Sequence, residues 1–173
     1  MAWTAAVCDT ATAAPFSSRL RYESLSRGRS YFVDFRARAG SLTGHTFIVF
    51  GRLGAGARPI SIQHADVYPV DGNAGSFVGT FAPVRGHVRV RDGDSRRVVS
   101  ISYRRYLTAA EYSRLLAAIR HEWAVNRQWS LLLFNCNDFA INIARALALR
   151  TPSSLLMPTT FVATLRLLNG RQR

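Results

Sequence analysis

Alternating and fully apolar strand-like runs fill the first half of the chain, and capped helical runs fill the second, with no long linker between them. Together these predict an α+β protein in which an antiparallel β-sheet packs against helices. The chain has 173 residues, of which 48 % are hydrophobic and 11 % aromatic. That is enough for a single core burying about 70 % of the unfolded surface. Residues 1–30 are expected to form an N-terminal tail or arm, and residues 31–173 one domain.

Taken in order, Tyr31 to Ala39 sets Tyr31, Val33, Phe35 and Ala37 on one face and polar residues on the other, the alternation of a half-buried strand. Gly40 to Gly44 reads as a turn, and His45 to Phe50 as a more fully buried strand, so a hairpin is expected. After a Gly-rich loop at Ala55 to Pro59, a third strand runs from Ile60 to Val67. A second Gly-rich loop follows at Asp71 to Ser76. Gly86 to Val90 and Arg97 to Tyr103 read as two further strands around the turn Arg91 to Asp94.

Thr108-Ala-Ala-Glu111 is a capping box, in which hydroxyl and carboxylate satisfy free backbone N–H groups. It opens an amphipathic helix reaching to about Asn126, with Leu115, Ile119 and Trp123 on its apolar face. A second helix begins at Asn135 or Cys136 and is expected to stop at Thr151-Pro152, because proline disfavours helix in its predecessor. Pro158 suits the first turn of a third helix ending near Gly170.

The formal charge is +13, and all 23 basic residues are Arg. The arginines are scattered, and no stacking platform or nucleic-acid motif accompanies them, so no specific nucleic-acid partner is expected. Attraction to anionic surfaces such as phospholipid headgroups or cell-wall polymers fits the charge better. No apolar run is long enough for a transmembrane helix. The apolar stretch Ala2 to Cys8 and the Ala-x-Ala spacing at Ala11 and Ala13 fit a trimmed signal peptide or a plain tail, but a basic n-region is missing. Periplasmic, secreted and cytoplasmic locations all stay open. The two cysteines, Cys8 and Cys136, read as free thiols rather than a disulfide framework.

Chemistry concentrates in Leu131-Leu-Leu-Phe-Asn-Cys-Asn-Asp-Phe-Ala140. Asn135 is a good N-cap, which puts Cys136 in the first helical turn, where unpaired N–H groups and the helix dipole favour a thiolate. Phe139, Ala140, Ile143 and Leu147 follow at helical spacing, so the face that meets the interior also carries the sulfur. A thiol nucleophile needs a base. Among the four histidines, His121 lies on an exposed helix face and His87 at a strand start, whereas His45 opens the most hydrophobic strand of the chain. His64, on the next strand, is placed to orient His45. Gln63 and Asp66 are alternatives for that third role, because a one-residue shift of register swaps which side chains face the cleft. The histidine spacings match no zinc motif, and no metal or other cofactor is expected.

Gly44-His45-Thr-Phe-Ile-Val-Phe-Gly51, then Ile62-Gln-His64-Ala, then Asn135-Cys136-Asn-Asp-Phe-Ala140 resemble the circularly permuted branch of the papain-like NlpC/P60 superfamily. That branch also includes lecithin retinol acyltransferase-like proteins. The resemblance spans roughly Tyr31 to Leu149 and rests on short motifs in which the His strand precedes the Cys helix. It implies a sheet packed on the nucleophile helix, with Cys136 as nucleophile, His45 as general base and His64 as the polar third residue. The activity implied is cysteine-dependent hydrolysis of an amide bond, with a peptide, cell-wall or acyl-lipid substrate. Two alternatives share the fold: a lipid acyltransferase or phospholipase using the same thiol, and a catalytically silent binding module.

Overall fold

A computed structural model describes residues 28–40, 44–93, 98–125 and 128–170. The expected N-terminal arm falls outside the described residues except for Gly28 to Ser30, as do Cys8 and the alanine-rich start. The strands are β1 (Tyr31–Arg38), β2 (His45–Leu53), β3 (Pro59–Pro69), β4 (Val84–Asp92), β5 (Ile101–Leu107) and the short β6 (Gln128–Trp129). The helices are α1 (Gly72–Val78), α2 (Ala109–Ala124), α3 (Cys136–Ala146) and α4 (Pro158–Asn169). The protein is α+β: a six-stranded antiparallel sheet in the order β5-β1-β2-β3-β4-β6 with four helices packed against it.

Beta-branched and aromatic side chains make the central strands. In β2, Ile48 and Phe50 face the helices and join Val33, Phe35, Ala65 and Val67 in the main core with Phe139, Ile143, Phe161 and Leu165. The opposite face is not polar as the β1 alternation implies. Phe32, Phe47, Val49 and Leu53 form a second buried cluster there, flanked by Ile62, Val99 and Tyr106, and Asp34 is buried on that side of β1. Central strands of a sheet covered on both faces lose the period-two contrast.

Four expectations are corrected. Asp71 to Ser76 is not a loop throughout: Gly72–Val78 forms α1. The strands β4 and β5 do not pair with each other. β4 adds to β3, while β5 crosses to the far side of the sheet and pairs with β1. Trp123 does not face the core; it is 67 % exposed, and Glu122 is buried instead, its Oε1 accepting from Asn142 Nδ2 at 3.1 Å. Finally, α3 ends at Ala146, ahead of the proline-based stop. Ala148 adopts φ +55°, and the Leu149 N–H donates to the Ala144 carbonyl at 3.0 Å, a left-handed C-terminal turn that swings Leu149 into the core. Alanine carries none of the glycine signal by which such turns are recognised. The capping box of α2 forms as read: Thr108 Oγ1 accepts from the Glu111 N–H at 3.2 Å, and Glu111 Oε2 accepts from the Thr108 N–H at 2.9 Å.

Candidate active site

Helix α3 starts where β2 starts, and this juxtaposition builds the site. Asn135 caps the helix by accepting from the N–H groups of Asn137 (2.7 Å) and Asp138 (3.3 Å). The Asp138 carboxylate in turn accepts from the Asn135 N–H at 3.0 Å, closing a second capping box. Phe139, Ala140 and Ile143 bury the inward face of the helix against the sheet, each large side chain contributing about 1.5–3 kcal/mol. Cys136 is thereby held in the first turn, half-buried, its carbon packed on the main core.

The neighbouring asparagines are cross-ties. Buried Asn137 accepts from Thr46 Oγ1 at 2.6 Å and donates through Nδ2 to the carbonyls of Ser154 (3.0 Å) and Leu156 (2.7 Å). One amide thus joins the helix start to β2 and to the 151–157 loop. Asn137→Ala should cost about 2–3 kcal/mol, since it takes a partner from the buried Thr46 hydroxyl and from two half-buried loop carbonyls, a loss measurable as a lower midpoint in urea. An unchanged midpoint would mean that the loop is held by other contacts.

His45 is the first residue of β2, preceded by Gly44 at φ +74°, where an added Cβ would lie 2.6 Å from the Arg38 carbonyl oxygen. Only glycine lets the chain enter the strand so tightly. His45 and Thr46 point to opposite faces of the strand, yet both meet the helix start. The Thr46 N–H donates to Cys136 Sγ at 3.4 Å, and the buried His45 imidazole lies close enough to the thiol to shift its ionisation. The imidazole Nε2 stands 3.7 Å from Asp66 Oδ2, a charge contact longer than a hydrogen bond.

Asp66 sits on β3 with His64 and Tyr68 on the same face, two residues apart in each direction. Its carboxylate is buried, and it gathers charge from several directions. His64 Nε2 lies 3.1 Å from Oδ2, while the Arg89 guanidinium, opposite in the β4 register, donates to Oδ1 from Nε (3.1 Å) and to Oδ2 from Nη2 (3.3 Å). Tyr68 is layered between two of these partners, its ring 4.4 Å from the His45 ring and 3.8 Å from the Arg89 guanidinium carbon. Arg38 donates to the Tyr68 hydroxyl.

Electrostatics follow from this arrangement. Burial works against charge on all three central groups, but specific contacts outweigh it. Burial pushes the Cys136 thiol up, yet the neighbouring His45 imidazole and the Thr46 N–H bring it below the ordinary thiol value. Burial pushes the His45 imidazole down, yet Asp66 and Cys136 carry it above the ordinary histidine value. Asp66 is likewise penalised by burial, but His45, His64 and Arg89 hold its carboxyl far below the usual carboxylate range. These are the directions of a thiolate–imidazolium pair backed by an ionised acid.

Cys136 and His45 therefore meet, as read from the sequence. Among the described residues no hydrogen bond joins His64 to His45; both imidazoles face Asp66 Oδ2. Gln63 points elsewhere and donates to Asp92 Oδ1 at 3.1 Å. His87 and His121 are exposed and away from the thiol. Tyr68, Arg89 and Thr46 were not singled out in the sequence. Tyr68 was findable from its two-residue steps to Asp66 and His64, whereas Arg89 carries no local signal, because only the β3–β4 register puts it opposite Asp66. Compared with family models, curated proteins and solved structures, the chain matches none.

Proposed function

We propose that this chain is a cysteine hydrolase with a papain-like site of the permuted NlpC/P60 type, cleaving an amide bond through Cys136. The observation that carries this reading is the half-buried thiol at a capped helix start, lowered by a neighbouring imidazole whose Nε2 faces a buried carboxylate. A purely structural cysteine has no need of that alignment. The order of the elements, His strand before Cys helix, supports the same reading.

In the proposed cycle the Cys136 thiolate attacks the amide carbonyl carbon, and the oxyanion gathers near the N–H groups at the start of α3. As the C–N bond breaks, imidazolium His45 delivers its proton to the departing amine. Water then attacks the thioester while His45 takes its proton; the C–S bond breaks, releasing the acid and restoring the thiolate. Asp66 holds the imidazole and balances its charge, and His64 with Arg89 supports Asp66 from behind.

Alkylation by iodoacetamide followed against pH tests the reactive pair. Cys136 should be modified at pH 7 faster than a free thiol of ordinary value, about 8.5. In His45→Ala the midpoint of the rate profile should move up toward that value. Alkylation of Cys136 no faster than that of glutathione, with the same midpoint in both proteins, would remove the nucleophile assignment.

A further inference from the structure

Six large apolar side chains that face solvent lie on three segments tied to the helix start that carries Cys136. Val78 ends α1 and Phe81 follows it, Leu132 and Leu133 precede the Cys helix, and Leu155 and Met157 lie on the loop held by Asn137; all six are between 50 % and 78 % exposed. The three segments are physically joined at the site. The Leu131 N–H donates to the Gly79 carbonyl at 3.1 Å, Asn135 Nδ2 donates to the Leu131 carbonyl at 2.8 Å, and Asn137 binds the carbonyls of Ser154 and Leu156. An apolar rim thus borders the helix start that carries Cys136, and clustering of this kind marks a surface that meets something apolar.

Charge selects the occupant. With a formal charge of +13, a second copy of the chain would be repelled, while an anionic lipid surface would be attracted. Exposed Arg85, whose carbonyl accepts from the Val70 N–H at 2.8 Å, and exposed Arg150, at the base of the 151–157 loop, flank the rim; the three rim segments carry one acid, Asp71, and Asp138 at the helix start is engaged with the Asn135 N–H. Apolar tips with arginine behind them match the layering of a bilayer, acyl chains beneath anionic headgroups.

We propose that this rim docks the protein onto an anionic membrane and sets Cys136 at the boundary between headgroups and acyl chains. The consequence for substrate, an acylated amphiphile whose amide or ester lies at that depth, rests on the hydrolase reading. The docking itself does not, and Cys136→Ser measures it without turnover.

The test is co-sedimentation of the full chain with phosphatidylcholine vesicles, with and without about one-third phosphatidylglycerol. Native protein and Cys136→Ser should bind the anionic vesicles equally, and the neutral ones far less. Leu132→Asp with Leu133→Asp, and separately Phe81→Asp, should weaken anionic binding about tenfold or more while circular dichroism stays native. Removing Arg85 and Arg150 together should weaken it and flatten its salt dependence. Failure of the native chain to bind anionic vesicles, binding indifferent to the Asp substitutions, or self-association through the rim seen by light scattering would each overturn the proposal.

Discussion

Cys136→Ala is expected to abolish turnover of an amide substrate, a loss of about 10⁴-fold or more in kcat, and His45→Ala to cost nearly as much. The reason is mutual dependence: the thiol is lowered by the imidazole, and the imidazole is raised in part by the thiol. Without the imidazole the thiol faces its burial with only backbone N–H groups to lower it, and without the thiol the imidazole has no nucleophile to serve. The double variant should therefore be no worse than the poorer single one, whereas independent contributions would multiply. Cys136 is half-buried and alanine fits its place, so the midpoint of chemical unfolding should barely change. Full activity in Cys136→Ala would end the hydrolase reading, and multiplying losses would separate the two residues.

Asp66→Asn should have the second largest effect, because it strikes both stability and chemistry. The substitution preserves shape but removes the charge that faces His45, His64 and Arg89. Leaving the guanidinium without its acid should cost about 3 kcal/mol, at the lower end for a broken buried pair because the Arg89 side chain keeps 27 % of its surface exposed. Catalysis should fall by about 10²–10⁴-fold, as when the orienting acid of a triad is lost. Arg89→Met should reproduce part of both losses by unpinning Asp66 and Tyr68.

The pH dependence has a defined sign. The folded-state value of Asp66 is depressed, so the stability it contributes is complete above the unfolded carboxylate value of about 4 and is lost as pH falls through the folded value. His45 is raised, so its contribution is complete below about 6.5 and is lost as pH climbs through its folded value. Cys136 is lowered, so its contribution is complete above about 8.5 and is lost as pH falls through the folded value. In Asp66→Asn the acid limb of the stability curve should flatten, and the alkaline loss assigned to His45, which still begins at about 6.5, should be smaller and end at lower pH. Denaturant titrations from pH 3 to pH 9 would show both, and an unaltered acid limb would mean that Asp66 is not the group that titrates.

Much of the site is legible locally. Asn135 and Asp138 declare the helix start within four residues, so Cys136 can be placed in a first turn without any knowledge of the fold. His45 is recognisable as a polar residue opening an apolar strand after glycine. The main errors arise where a short-range pattern competes with packing. Trp123 continues the spacing set by Leu115 and Ile119, but helix α3 brings Asn142 alongside and makes Glu122 the buried neighbour. Ala148 turns left-handed because burying Leu149 offsets a strain that sequence alone assigns to glycine.

By itself, then, the chain determined its α+β class, the capped helix start that carries Cys136 and the histidine that opens the apolar strand, since caps and periodicity act across a few residues. Only the tertiary structure decided that Asp66 rather than His64 faces His45, that Arg89 and Tyr68 brace the pair, and that β5 lies beside β1. Those outcomes depend on strand register and on which charged groups lose water together. Both are properties of segments brought into contact, and neither is written in any one of them.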